Sequence, residues 1–483
     1  MSEILLTFAP SMNEQRTAAS WSARPAVITY RIMMNIYRPT WAYRIFKAYV
    51  KWGESLYYHH IYLENDDLVR HYNPDEGNIL MAVSNHNNTA QDAICAVLRF
   101  PNNCKVYSVA RADAFAVSPI LEKVFYWIGM TPAYRTEFGV AEDQVKRNYE
   151  LFDFTSEQMA AGCPLVLFPE GIHHEEHYLN EWFVNYCRIA FMAAERTGYE
   201  RDVLIIPSCN DWDDYFGYHV NFMIRYGEPV NLRDYYELYK TKPRTAQREV
   251  NKIVLGRVKA MMLNVEDHDN YWAIDWLRQS EWGRQYARQQ GFDPDILPQK
   301  HDADRQLVGK LSQVEDREAL QAVYDEALQL RDEEQRMGIS ERSLELRDGV
   351  ITTEMNLIWL IVSLPIWLLA AVPGAVQFYL PRHFAAFDKM YTGSIIFIAN
   401  MLVLLPVLWL LMLLVPGLGW GLWLPALIWV AVQPLCWRFA WHQGKTFVRT
   451  LQALRRLCHP AAVRALDARR KALFARLESL LAV

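Results

Sequence analysis

Ser84-Asn85-His86-Asn87-Asn88-Thr89-Ala90-Gln91-Asp92 is the stretch from which the rest of this chain can be read. The apolar run Ile79 to Val83 before it reads as a buried strand, and Ala93 to Leu98 after it reads as the first turns of a helix. A histidine at a strand end, with a carboxylate just inside the next helix, is a pair that can be pre-positioned for proton transfer. Neutral imidazole accepts a hydroxyl proton near pH 7, and a carboxylate on its other nitrogen fixes the tautomer and stabilises the imidazolium. A second reading stands beside this one. Thr89-x-x-Asp92 also fits a helix capping box, in which Asp92 only caps.

Outward from this stretch, short β-like runs alternate with helical ones. Strands are expected at Ile79–Ser84, Lys105–Ala110, Leu165–Phe168, Val203–Pro207 and Val220–Tyr226, with helices near 92–99, 119–128, 143–161 and 181–197. Such alternation predicts an α/β domain over 59–240, a mixed but largely parallel sheet flanked by helices. Sites in such sheets lie beyond the carboxyl ends of strands, and His86 and Glu170 both follow strand runs. Three more constellations fall at such ends. In Gly129-Met130-Thr131-Pro132-Ala133-Tyr134-Arg135, glycine ends a helix and the arginine can clamp an anion. In Phe168-Pro169-Glu170-Gly171-Ile172-His173-His174, a carboxylate followed by glycine can accept a substrate hydroxyl while the backbone approaches closely. Ile205-Ile206-Pro207-Ser208 is mostly architectural.

Taken in order, these four blocks resemble the glycerophospholipid acyltransferases, which act on glycerol 3-phosphate and lysophosphatidate. The matching residues are Asn85, His86 and Asp92; Gly129, Pro132 and Arg135; Phe168, Pro169, Glu170 and Gly171; then Pro207. The resemblance covers roughly 75–230 and extends to Arg188-Ile189-Ala190 and Tyr226-Gly227-Glu228-Pro229. Five residues separate His86 from Asp92, an HX5D spacing that is similar to a bacterial branch, with Asn87 where that branch has proline. Ile172-His173 stands where the family usually has Thr-Arg. The resemblance implies that His86 is a general base oriented by Asp92, acting without a covalent acyl-enzyme. It implies that Arg135, Glu170 and Gly171 bind a phosphate-bearing acceptor, with Arg188 and His173 or His174 replacing the missing cation. The donor would be acyl-CoA or acyl-acyl-carrier protein as co-substrate, with no other cofactor. The alternatives are transfer to another lipid headgroup, such as an amino-acid lipid, and a non-catalytic lipid-binding protein of the same fold.

The run His173 to His177 invites a metal reading, because residues four apart share a helix face. It is not His-Glu-x-x-His and has no distant third ligand, so no metal is expected. A net charge of −5 argues against nucleic acid as a partner. The seven cysteines form no C-x-x-C pair, which suits a reducing compartment. Residues 1–13 lack the pattern of a secretory signal.

Outside the α/β domain, 1–58 is expected to hold irregular chain and then interfacial helices. After Pro39, Arg44, Lys47 and Lys51 fall on one side and Trp41, Ile45, Tyr49 and Trp52 on another, as in a helix lying at a lipid surface. Residues 241–354 read as a polar helical connector with dense ion pairs, and Trp272, Trp276 and Trp282 as packing residues. The apolar blocks Leu357–Val376, Ser394–Val415 and Leu418–Trp437 place membrane-embedded helices in 355–440. Pro365 and Pro373 interrupt the first block, which is expected to bend back, while the other two form a hairpin around Pro416-Gly417-Leu418-Gly419. The basic tail over 441–483, with Arg438 just before it, puts the tail and the catalytic domain on the cytoplasmic side, at the inner membrane in a bacterium.

Overall fold

Strand β2 (Ile79–Ser84) is buried at all of its positions, because it lies inside a sheet covered on both faces. The computed structural model describes residues 38–116, 118–134, 142–340, 344, 349–384, 390–398 and 420–481. The described chain falls into two units, one made of 1–175, 179–262 and 383–402, the other of 176–178, 263–382 and 403–483.

The first unit is built on one eight-stranded sheet. Its other strands are β1 (Ile61–Glu64), β3 (Tyr107–Arg111), β4 (Met130–Ala133), β5 (Leu165–Leu167), β6 (Val203–Trp212), β7 (Phe222–Tyr226) and β8 (Val230–Asn231). The order is β1-β7-β6-β2-β5-β3-β4, with β8 paired to β6. Only the β6–β7 and β6–β8 pairings are antiparallel. The longer helices are α1 (Trp41–Tyr57), α2 (Thr89–Arg99), α3 (Pro119–Ile128), α4 (Glu142–Ala160), α5 (Asn185–Arg196) and α6 (Pro243–Met261). Ile79, Met81, Val83, Leu165 and Ile205 share a core with Ile189 and Phe191 of α5 and Val250, Val254 and Val258 of α6. Packing of this kind decides the fold, since each large buried side chain is worth about 1.5–3 kcal/mol.

The sheet is larger than the sequence pattern predicts. Strand β4 starts at once after Gly129, whose left-handed conformation (φ +96°) ends α3; a Cβ there would sit 2.4 Å from the Val106 carbonyl oxygen. Pro132 is tolerated because β4 is an edge strand. Strand β6 runs five residues beyond the expected end at Pro207. It pairs with β8 through Leu204 and Ile205 and with β7 from Ser208 onward. Proline, which has no N–H to donate, falls where the partner changes.

Helix α1 corrects the expected division of charges. Lys47 is buried, its ammonium donating to the Pro101 carbonyl (3.1 Å), and burial pushes its pKa down to about 8. Glu54, also on the buried face, pairs with Arg99 at the end of α2. Trp41, Ile45 and Trp52 are exposed beside Arg44 and Lys51.

In the second unit, α7 (Tyr271–Gln279), α8 (Glu281–Gln289), α9 (Leu297–Gln313) and α10 (Arg317–Met337) precede the long α11 (Val350–Phe384). Helix α12 (Tyr391–Phe397) belongs to the first unit, and α13 (Trp420–Cys458) and α14 (Pro460–Leu481) to the second. The connector and the tail share one core: Leu466, Leu473 and Leu477 of α14 pack with Leu320, Val323 and Leu330 of α10. Trp276 and Trp282 stack on Phe474, 5.9 and 6.0 Å between ring centroids. Arg469 and Arg476 of the tail pair with Glu333 and Glu326.

Among the described residues one helix, Val350–Ala371, is long and apolar enough to cross a membrane; it has a mean hydropathy of 1.7 and is mostly exposed. Its 22 residues extend roughly 33 Å, against about 30 Å of hydrocarbon. The expected interruption does not occur, because α11 runs through Pro365 and Pro373 as helix. The second apolar block also departs from expectation. Its first residues, Ser394, Ile396 and Phe397, are buried in the first unit. Residues 1–37 and 399–419, with the turn expected at 416–419, lie outside the described residues; the third apolar block is helical from Trp420 on, as the start of α13.

Candidate active site

Ser84 ends its pairing with β6 opposite Ser208, while β6 continues to Trp212. The Asn85 side chain takes over the ladder there. Its Oδ1 accepts from Asn210 N (2.8 Å) and its Nδ2 donates to Asn210 O (3.0 Å) and to Asn87 Oδ1 (2.7 Å). A side chain standing in for backbone lets the main chain turn out of the sheet at His86. Neither Asn85's partner nor its role is visible in the sequence, because Asn210 lies past the expected strand end.

His86 Nδ1 lies 2.7 Å from Asp92 Oδ2, and the same oxygen accepts from Asn88 N at 2.7 Å. Asp92 is fully buried, while the His86 side chain keeps 18% exposure. A carboxylate only accepts, so Nδ1 carries the proton and Nε2 is the basic nitrogen. Among the described residues Nε2 has no hydrogen-bond partner. The ring stacks on Phe168 at 4.8 Å, and His173 meets it edge-on at 5.7 Å. Asp92 thus holds the imidazole and ties Asn88 N at the start of α2; the Thr89–Asp92 capping box does not form, because Asn88 and not Thr89 stands at the N-cap and makes no side-chain cap bond.

Glu170, expected to accept a substrate hydroxyl, has both oxygens engaged within the protein. Oε1 accepts from His86 N (2.8 Å), and Oε2 accepts from Asn180 N (3.0 Å) and Nδ2 (2.9 Å). Burial raises its pKa against these hydrogen bonds, which lower it. Glu170 therefore braces the His86 backbone. In Glu170→Gln one of the two positions must present N–H to a donor. We expect a loss of about 1.5–3 kcal/mol, read as a lower melting temperature. An unchanged melting temperature would show that the brace carries no weight.

Gly171 closes the turn with φ +64°, a conformation glycine adopts without strain. Arg188, half-buried on α5, lies over the rings of Tyr149 (4.6 Å) and Phe152 (5.9 Å) of α4. Arg135 lies outside the described residues. The run 171–180 is irregular, so helical spacing does not bring His173 and His177 to one face. His177 is tied instead to Tyr271 (3.1 Å) and Arg278 (3.2 Å).

A family model described as Acyltransferase matches residues 60–210, the span that holds the strand-end histidine, its aspartate and the Glu170 turn. These residues form an acyltransferase domain. No curated protein matches the chain in sequence. The chain is similar to a solved structure, the 1-acyl-sn-glycerophosphate (LPA) acyltransferase PlsC from Thermotoga maritima. Identity is 12%, coverage is 53% of this chain and 95% of that one, and the TM-score is 0.29. A score that low decides neither fold nor activity. The described acyltransferase domain also touches α12, a segment far outside 60–210. Tyr391 meets His173 edge-on at 5.1 Å, and Ser394 reaches the first turn of α2.

Proposed function

We propose that this chain is a membrane-bound enzyme of phospholipid biosynthesis. It moves a fatty acyl group from acyl-CoA or acyl-acyl-carrier protein to the hydroxyl of a glycerol-3-phosphate-type acceptor, lysophosphatidate or glycerol 3-phosphate. The observation that carries this reading is His86, bound through Nδ1 to a buried carboxylate with Nε2 left for substrate. The acceptor hydroxyl gives its proton to Nε2 as its oxygen attacks the thioester carbonyl. The C–S bond then breaks, and the imidazolium returns the proton to the leaving thiolate. Asp92 stabilises the imidazolium between these steps. Arg135 and Arg188 supply cations for the acceptor phosphate. A second reading, another lipid headgroup, is favoured by His173 beside His86 where the family usually has arginine. Membranes carrying the protein, given labelled donor and a panel of acceptors, should form the ester with a glycerophosphate acceptor. Labelling of a different headgroup would select the second reading, and no transfer to any acceptor would remove both.

The exposed apolar length of α11 and the exposed rings of α1 support a membrane location. Cys458 is the one exposed cysteine among the seven. With the tail on the cytoplasmic side, a membrane-impermeant maleimide should label Cys458 in inverted vesicles and not in intact cells. Labelling in intact cells would reverse the topology.

A further inference from the structure

The first turn of α2, which carries Asp92, is held from outside the acyltransferase domain. Thr89, the first residue of that helix, has φ +46°. A β-branched residue is rarely left-handed, so this position is strained and needs support from its surroundings. Asn88, at the N-cap position, makes no side-chain capping bond; among the described residues its buried amide has no hydrogen-bond partner. Gln91 N donates to Asn88 O (3.0 Å) and is shared with a second acceptor, the hydroxyl of Ser394. Ser394 Oγ accepts from Gln91 N (3.2 Å), shares a hydrogen bond with the Thr89 hydroxyl and lies 3.5 Å from Asn88 O. Ser394 is 1% exposed. Helix α12 is itself fixed from several sides. Tyr57 Oη donates to Gly393 O (3.2 Å), and Phe397 meets Tyr57 edge-on at 5.1 Å. A Cβ on Gly393 would stand 2.5 Å from the Tyr215 carbonyl oxygen.

We propose that Ser394 is a positioning residue for acyl transfer. It caps the catalytic helix from a segment some 300 residues away in sequence and so holds Asp92 against His86. This role rests on the acyl-transfer reading of His86. Without the hydroxyl, Thr89 loses its partner and relaxes toward ordinary φ. The turn then rotates, and the Asp92–His86 contact lengthens. The ionisable groups facing His86 are Asp92, Glu170 and His173, with His174 4.0 Å from Glu170. Only the Asp92 contact depends directly on the capped turn. A weaker carboxylate contact stabilises the imidazolium less, so the acid limb of the pH–rate profile moves to lower pH.

The test uses full-length Ser394→Ala, Ser394→Thr and Gly393→Ala in the membrane, each checked for folding by its melting temperature. We expect Ser394→Ala to lower kcat about tenfold at unchanged donor KM and to move the acid limb to lower pH. Gly393→Ala should act the same way by displacing α12, and Ser394→Thr, which keeps the hydroxyl, should restore the limb. A folded Ser394→Ala protein with the wild-type limb overturns the proposal, as does a fall in kcat with the limb unmoved. The His86 ring resonance, followed against pH in 13C-histidine-labelled protein and assigned with His86→Ala, reads the same shift without any reaction. If the wild type transfers no acyl group while that resonance still shifts, the acyl-transfer reading fails and the capping role stands.

Discussion

His86→Ala should lower acyl transfer by about 10²–10⁴-fold, the range that one positioned base contributes. The protein should still fold. The backbone bond from His86 N to Glu170 survives the substitution, and Asp92 keeps its bond from Asn88 N. The lost ring was partly exposed and packed mainly on Phe168. Thiol release from acyl-CoA and the melting temperature should be measured on one preparation. A folded variant at the full rate would remove His86 as the base, and with it the mechanism proposed for this chain.

Asp92→Asn should produce the second large loss. One Asp92 oxygen accepts from both His86 Nδ1 and Asn88 N. An asparagine with its Oδ1 toward both donors keeps the geometry and loses the charge. Turned the other way, it sets N–H against the Asn88 donor. The first arrangement is favoured, so the fold persists and the imidazolium forms without its counter-charge. We expect transfer to fall by about 10²–10⁴-fold. The acid limb of the pH–rate profile should also move to lower pH, since removing a negative charge beside a cation makes the cation easier to deprotonate. A rate within threefold of wild type, with an unmoved limb, would reduce Asp92 to a helix cap.

The motif around His86 was legible because its physics is local. An apolar run, a histidine at its end and a carboxylate one helical turn into the next element are short-range features, and six positions of sequence separate the two partners. The alternation of strands and helices was legible for the same reason. The misplaced elements had weak local signals. Strand β4 is four residues long and contains proline, yet edge pairing with β3 makes it a strand. Strand β6 passes through Pro207 because its neighbours change there. Lys47 looks solvent-facing in a helical pattern and is buried because α1 packs on the loop at Pro101. Ser394 looks like the first residue of an apolar span and lies instead against α2.

The sequence by itself determined the α/β alternation, the histidine–aspartate couple, the glycine turn after Glu170 and the apolar length of α11. Each depends on residues close together along the chain, where spacing alone sets which side chains share a face. Tertiary structure alone decided that Glu170 braces the His86 backbone, that Asn85 continues a strand with its side chain, and that Arg188 lies on two rings. It also joined the tail to the connector and brought α12 to the catalytic helix. These depend on which buried donors meet which acceptors across long separations. Burial makes an unpaired polar group costly, and the partner that satisfies it is chosen by packing, which spacing along the chain does not reveal.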